Sequence, residues 1–522
     1  MRKRAAKACC AEPALQVLGL GTASSRWVGP LVVSALVALP PLRAMAAEPR
    51  VQLNGSLTQT FTDNYLLNGT QPESDAITRL TAGVGLTSQT GRTKGFLDYS
   101  LSGIVYARHS EINQLQNSLN TNFSAELSEG QSRVDVRAAI SQSAVSAFGL
   151  QPGINSPNRA NATELRHLNV TPVVYGPLGP FLRYTATLNA SLSDAKGTDL
   201  GDSTLTTASV RIGPIAPQRL GWAVDGTAGR SAYKAGRTTT SSRLNGTATY
   251  PITELDMTLS ASAGVEINDL NTLQRKRYFT HGVGAVWSPS PRTSLTANFD
   301  ERSFGRTHNL SFEHRTALTT WRVSDSRGVS SANGESGAGN RGTAFNLLFA
   351  QFASIEPDPI KRTDLVNSVL LRSGISPTAQ INPGFLNSGV SVQDRQELSV
   401  ALRGARSTAV LLYTRTATSR IDNLTTAPDD LSRSRVIHLQ GLSLDFSHRL
   451  TPASSLSLLL SNQRGYGDLS SQSNRQRQAS LLYTLRPTEL ASLSVGLRRA
   501  LYLNPPRPFD ETAIFATVGT RF

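Results

Sequence analysis

From residue 47 onward the chain alternates apolar and polar side chains, segment after segment. Between Phe181 and Ser191, Leu182, Tyr184, Ala186, Leu188 and Ala190 alternate with Arg183, Thr185, Thr187, Asn189 and Ser191. Val134, Val136, Ala138 and Ile140 alternate with Arg133, Asp135, Arg137, Ala139 and Ser141, and Leu97, Tyr99 and Leu101 with Asp98, Ser100 and Ser102. Near the C-terminus Ala479, Leu481 and Tyr483 alternate with Gln478, Ser480 and Thr484, and Leu493, Val495 and Leu497 with Ser492, Ser494 and Arg498. A period of two describes a strand with one apolar and one polar face. These strands run to roughly 10–14 residues, against a usual globular length of ~5–6.

The connections alternate in length. Short turns fall at 90–92, 129–130, 176–179, 214–217, 251–254, 289–291, 316–317, 404–406, 450–453 and 487–488. Longer loops fall near 64–75, 109–116, 144–161, 192–202, 231–238, 268–275, 303–306, 326–390, 421–434, 467–473 and 503–509. Several short turns share a Pro, a Ser/Thr-rich stretch and then Leu, as in Ser288 to Leu295 and Leu450 to Leu456; Pro ends a strand and the hydroxyl residues help the chain turn. Ten turns and eleven loops make 22 strands, an even number that puts both termini on the short-turn side. A soluble sandwich, propeller or solenoid would hide the apolar face inside. A transmembrane barrel turns it to lipid and keeps a wet lumen, which suits a polar face carrying Arg, Asp and Gln. The expected fold is therefore an all-β, outer-membrane β-barrel of about 22 antiparallel strands with one helical insertion.

The insertion is the loop at 326–390. Phe345, Leu348, Phe349, Phe352 and Ile355 recur at helical spacing and predict a helix over 343–355. Asp358-Pro359 reads as the N-cap and first turn of a second helix, with Leu365, Val366, Val369 and Leu370 on one side and Gly374 at its end. Phe345, Leu348, Phe349 and Phe352 need apolar cover, so the loop is expected to plug the lumen; an external cap is the competing reading.

The start of the chain changes the compartment. Arg2, Lys3, Arg4 and Lys7 precede an apolar run from Trp27 to Leu42 and an A-x-A site at Ala44-Met45-Ala46. This predicts a secretory signal peptide, 1–46, cleaved after Ala46, with the barrel over 47–522. Pro30, Pro40 and Pro41 argue against a membrane anchor. Both cysteines, Cys9 and Cys10, lie in that leader, so no disulfide or Cys-ligated metal site is expected downstream. At the other end the strand from Ala513 finishes on Phe522, which resembles the terminal signal read by the barrel-assembly machinery.

Composition adds electrostatics rather than chemistry. The formal net charge is +15, and only seven lysines contribute to it, so arginine dominates. The arginines are spread over strands and loops without basic clusters interleaved with aromatics, so no nucleic-acid partner is expected. Asp98, Arg133, Asp135, Arg137, Arg183, Arg477 and Arg498 are the candidate lumen-facing charges. They would make the pore wall electropositive, unless the arginines pair with lumenal acids or with lipopolysaccharide phosphates. None of the seven histidines has a metal-ligand spacing, and there is no nucleophile elbow, P-loop or dinucleotide motif. No enzyme and no cofactor are expected.

Certain strand signatures point to a family. Thr62-Asp63-Asn64 follows the first strand, and the run Leu97 to Arg108 precedes Asn113 to Asn120. Ile140-Ser141-Gln142 with Phe148-Gly149, the stretch Asn161 to Arg166, Phe385-Leu386-Asn387, Gln396 and the stretch Ala401 to Thr408 complete the set. Together they resemble the outer-membrane β-barrel family associated with PEP-CTERM/exosortase systems of exopolysaccharide-producing Gram-negative bacteria. The resemblance implies a channel or scaffold, without catalysis, in exopolysaccharide export or assembly or in handling PEP-CTERM surface proteins. The alternatives are a general or anion-preferring porin and a closed structural or adhesive barrel. Partners implied are outer-membrane lipid and lipopolysaccharide, the barrel-assembly machinery, and exopolysaccharide or its export proteins.

Overall fold

A computed structural model describes residues 49–67, 69–151, 161–216, 219–330, 344–352, 356, 358–373, 384–421, 424, 428–469, 471–503 and 508–522. The proposed cleavage site at Ala46, and Ile355 and Gly374, lie outside the described residues. The described chain forms 22 strands: β1 (Arg50–Thr62), β2 (Asp75–Gln89), β3 (Thr93–Tyr106), β4 (Gln114–Ser128), β5 (Ser132–Ala144), β6 (Ala162–Leu178), β7 (Leu182–Ala195) and β8 (Ser203–Pro214). They continue with β9 (Gly221–Tyr233), β10 (Thr239–Ile252), β11 (Met257–Asn268), β12 (Lys276–Ser290), β13 (Thr293–Arg302), β14 (Gly305–Arg315) and β15 (Thr319–Ser330). Two helices follow, α1 (Ala344–Gln351) and α2 (Pro359–Ser373). The last strands are β16 (Ser391–Arg403), β17 (Ser407–Arg420), β18 (Val436–Arg449), β19 (Ser454–Tyr466), β20 (Ser473–Leu485), β21 (Ala491–Tyr502) and β22 (Phe509–Arg521).

Each strand pairs antiparallel with its neighbours in sequence, and β1 pairs with β22 from Asn54↔Arg521 to Thr62↔Ala513. The sheet is therefore a closed barrel with no free edge. Beyond the last ladder pair, Leu53 N–H donates to Phe522 O (3.2 Å) and Phe522 N–H to Leu53 O (2.8 Å), so the terminal residue helps close the seam. With ~4.8 Å between strands and a tilt of ~40°, the 22 strands make a backbone ring roughly 44 Å across. A 13-residue strand such as β22 rises ~33 Å at that tilt, enough to cross an apolar band of ~25 Å.

The two faces follow the parity of the pattern. Val51, Leu53, Leu57 and Phe61 of β1, Leu101 and Val105 of β3, and Leu493, Val495 and Leu497 of β21 are exposed on the outside. Their alternate neighbours, such as Thr60, Thr62, Ile104, Arg498 and Ala500, turn inward and are buried. A belt of exposed Leu and Val around a polar interior is the arrangement of a barrel that sits in lipid. Trp222, Tyr250, Trp287, Trp321 and Tyr483 are all exposed near the short-turn ends of their strands. They form the aromatic girdle of one membrane interface. One connection is tighter than its sequence suggests: β13 and β14 are joined by residues 303–304 alone, with Gly305 at φ +107° opening the next strand.

Candidate functional site: a lumen filled on one side

The two helices lie inside the barrel. Phe345, Leu348 and Phe352 of α1 and its approach, with Val366, Val369 and Leu370 of α2, pack in one cluster with Phe96 of β3, Ala401 of β16, Val410 of β17 and Leu459 of β19. All four wall residues point inward by parity. Helices that touch β3 and β19 together can do so only from within a closed ring. Phe349 is half-buried at the cluster's edge, 5.5 Å from the Phe345 ring, with the Arg362 guanidinium 4.6 Å from its centroid. The Asp358 carboxylate accepts the Lys361 amide (3.3 Å), so Asp358 caps α2 with Pro359 in its first turn.

Depth follows from the partners. Gln351 donates to the backbone carbonyl of Thr320 (3.3 Å) and accepts from Ser399 Oγ (2.7 Å). Thr320 is the second residue of β15, at the short-turn end. The chain leaves β15 at the opposite, long-loop end, so this insertion descends most of the barrel's height.

A second set of loops covers the long-loop end. Asp430 accepts from Ser146 Oγ (2.8 Å) and Ala147 N (2.6 Å), and Asn474 of β20 donates to Ala147 O (2.8 Å) and Gly149 O (2.6 Å). Ala147 stands three residues beyond the end of β5, a reach of ~10 Å. In a round ring β5 and β20 would face each other across more than ~30 Å. The loop end is therefore pinched along this line, and Ala147 and Phe148 pack there with Phe385, Leu431, Ile437 and Leu439.

Residues 384–390 cross the other lobe of the mouth. Leu386 N donates to Ala144 O (3.1 Å), and Ser388 N to Asp429 Oδ2 (3.0 Å), whose other oxygen takes the Arg420 guanidinium. Only glycine fits beneath this strap at Gly236, where a Cβ would lie 1.8 Å from Ser388 O.

The wall opposite the helices keeps its water-facing side chains. Thr187, Asn189, Ser209, Thr227, Asn245, Thr247 and Ser262 point inward on β7–β11 by parity, and each retains solvent contact except where the lid covers the upper rim. At the short-turn end this wall is basic. Arg133, Arg137, Arg183 and Arg211 all face inward there and are exposed. Arg133 reaches Asp135 at 3.2 Å and Arg211 reaches Asp225 at 3.2 Å. Among the described residues no ion pair forms at Arg137 or Arg183. Other lumenal arginines are paired: Arg302–Glu266 at 3.0 Å and Arg395–Glu397 at 3.0 Å toward the long-loop end, and Arg322–Glu313 at 2.9 Å near the short turns.

The remaining sequence candidates divide. Asp98 faces inward against Gly85, where a Cβ would come within 3.2 Å of its Oδ1. Arg498 also faces inward but not toward water. It is buried and grips Glu511 (2.7 and 3.3 Å), which in turn accepts from Thr62 Oγ1 (3.0 Å) across the β22–β1 seam. Arg477 does not belong with these residues. It shares the parity of Ala479, Leu481 and Tyr483, pairs in register with Asn462, and is exposed on the outer wall. Missed in sequence were Arg211, Asp429 and Asp430; Arg211 stood in the same alternation as Ser209 and Gly213, whereas nothing local marked the two aspartates. No group of three His, Cys, Asp or Glu residues among those described is placed to hold a metal.

No family model matches the chain, and no curated protein sequence matches it significantly. Among solved structures, the FrpB iron transporter from Neisseria meningitidis (F5-1 variant, apoprotein form) is similar over 90% of this chain and 81% of its own, at 9% identity and TM-score 0.47. The ferric-catecholate import receptor Fiu from E. coli K12 in its closed form is similar over 91% and 82%, at 9% identity and TM-score 0.46. Pseudomonas aeruginosa OccK11 (OpdR) is similar over 91% and 96%, at 12% identity and TM-score 0.32. At these values nothing about cargo passes from those proteins to this chain.

Proposed function

We propose that this protein is an outer-membrane conduit that receives hydrophilic, anionic cargo at its short-turn, periplasmic end and is lidded at its extracellular end. The observation that carries the reading is the polarity of the lumen along its axis. Arg133, Arg137, Arg183 and Arg211 stand exposed at the short-turn mouth, while residues 145–149, 384–390 and 429–431 cross the other mouth. Exposed guanidinium groups in the lumen, of which Arg137 and Arg183 form no ion pair among the described residues, raise the local concentration of anions. A wall of Ser, Thr and Asn side chains above them offers hydrogen bonds to a hydroxyl-rich chain. This supports the exopolysaccharide-linked role that the family resemblance implies, with an acidic polysaccharide as cargo. A general anion-preferring porin would use the same wall but would stand open at rest.

The test is single-channel recording of the purified protein in planar bilayers. The intact protein should pass little current, and replacing 331–383 by a short Gly/Ser linker should raise conductance several-fold with anions preferred. Arg137→Gln with Arg183→Gln should shift the reversal potential of the opened form toward zero in a KCl gradient. A large steady current from the intact protein would favour the porin. Silence from the correctly assembled deletion variant would leave a structural barrel.

A further inference from the structure

The outer wall carries a charge arrangement that the lumen does not explain. On β17–β20 an outward cross-strand row, Arg415↔Gln440↔Arg464↔Arg475, lies just below the row Ala417↔His438↔Tyr466↔Ser473 at the long-loop end. The next row toward the membrane centre is Tyr413↔Leu442↔Asn462↔Arg477. Arg415, Arg464 and Arg477 are exposed, and Arg464 and Arg475 stand directly opposite each other. Side chains so paired have Cβ atoms ~5 Å apart, and like charges there are destabilising unless something neutralises them.

Two acids near this rim are engaged by other arginines. Asp468 is held by Arg435 (3.7 Å) and Asp510 by Arg499 (2.7 Å). Among the described residues no ion pair forms at Arg415, Arg464 or Arg477. Elsewhere on the outer wall several arginines near the same rim are matched, Arg306 with Glu301, Arg327 with Asp394, and Arg166 with Glu164 and Asp194, while the exposed Arg230 and Arg277 stand singly on their strands. The arginine row is held up rather than loose. The Arg475 Nε donates to Asn462 Oδ1 (3.3 Å), and the Arg464 guanidinium lies 4.9 Å from the Tyr466 ring centroid. Below the two rows the same strands present exposed Leu411, Leu460 and Leu481. Guanidinium groups therefore sit on the boundary between the apolar belt and water, at the level of lipid headgroups.

We propose that this face binds a phosphorylated glycolipid of the outer leaflet, with Arg415, Arg464, Arg475 and Arg477 on its phosphates and its acyl chains along Leu442, Leu460 and Leu481. Charge complementarity argues for the occupant: two forks ~5 Å apart at Arg464 and Arg475, with Arg477 one row below and Arg415 two strands away, match a headgroup with more than one phosphate better than a single phosphodiester. Continuity with the apolar belt argues that the phosphates arrive on a lipid rather than free in solution. The inference rests on the outer-membrane reading in one respect, that the long-loop end faces the outer leaflet.

The experiment uses the full chain, folded in dodecyl maltoside, titrated with bis-phosphorylated lipid A and read by native mass spectrometry. Arg464→Gln with Arg475→Gln should weaken retention at least about tenfold, and Arg306→Gln on β14, five strands from β19, should not change it. Equal retention by wild type and the double variant overturns the site. Equal retention of lipid A stripped of its phosphates overturns phosphate recognition. Competition by phosphatidylglycerol as strong as by lipid A overturns the assignment to the outer-leaflet glycolipid. If the double variant does not fold, Arg464→Lys with Arg475→Lys keeps the charge and loses the fork, and undiminished retention there overturns the proposal. A wild-type chain that fails to enter lipid nanodiscs at all would instead defeat the membrane reading beneath it.

Discussion

Removing the aromatic anchors of the lumenal helices should free the plug and spare the barrel. Phe345 and Phe352 are 1% and 2% exposed, and Phe345 meets Phe96 of the wall with ring centroids 5.1 Å apart. Truncating a buried Phe to Ala costs about 3–5 kcal/mol, and an aromatic pair adds ~0.5–1.5 kcal/mol. The two positions share one cluster, so their effects will not add fully, and ~5 kcal/mol is a fair figure for Phe345→Ala with Phe352→Ala. The helices have little to set against it. α1 spans 8 residues and α2 spans 15, lengths at which an isolated helix is marginal in water. Docking on the wall is what keeps them folded. The barrel draws its stability from ladders that close on themselves without the helices. Hydrogen–deuterium exchange by mass spectrometry on detergent-solubilised protein measures both. Protection at 344–352 should fall at least about a thousandfold, while strand amides and heat-modifiable gel migration stay as in wild type. Unchanged protection of α1 would refute the reasoning, and so would loss of the folded gel band together with the helices.

Three further outcomes follow from single contacts. Asp430→Ala removes the acceptor of Ser146 Oγ and Ala147 N, a loss of about 2–4 kcal/mol for two charge-assisted bonds, and limited proteolysis should cut near 145–161 faster in the variant. Glu511→Gln strands the buried Arg498 charge beside the seam, at about 3–5 kcal/mol, and should lower the temperature at which the folded band is lost in SDS; an unchanged transition would contradict the pairing. His109, in the loop after β3, hydrogen-bonds Asp75 Oδ2 at 2.9 Å with Glu73 at 3.1 Å, and that bond, foremost, raises its pKa above the ordinary 6.5. A raised imidazole pKa contributes stability that is complete below the unfolded value and lost as pH rises through the folded one. Exchange protection in the loop at 63–67, where Tyr65 stacks on His109, should thus weaken as pH rises above the ordinary histidine range, and His109→Gln should abolish that dependence.

Much of the frame was legible from sequence because barrel geometry is periodic and local. Parity assigns each side chain to a face, alternating connection lengths count the strands, and Asp358-Pro359 marks a helix start wherever it occurs. Arg477 shows how the same rule is misapplied: its parity with Ala479 and Leu481 already placed it outside, and its charge alone argued for the lumen. What stayed hidden depends on closure. Glu511 meets Thr62 because β22 closes on β1, 449 residues apart along the chain. Ser146 meets Asp430 across 284 residues only after the ring has closed and its mouth has been pinched. No local pattern encodes a contact between two loops that the barrel brings together.

The two closures of this lumen are built from separate parts. Asp429 and Asp430 are adjacent, yet between them they hold three segments: Asp429 takes Ser388 N and Arg420, and Asp430 takes Ser146 and Ala147. Breaking either carboxylate's bonds exposes its neighbour to water, so the lid at the loop end should loosen as one unit. The helices below are held by Phe96, Ala401, Val410 and Leu459, and no residue among these described contacts takes part in both sets. Their anchorage is apolar, and the lid's is largely ionic and hydrogen-bonded. High salt should therefore weaken the lid's ion pair while leaving the plug's packing in place or strengthening it, because screening acts on charge and not on buried apolar area. A charged ligand that competes for these partners can act on the lid, whereas displacement of the plug requires work on the hydrophobic seat toward the short-turn end, the end at which the proposed function has cargo enter.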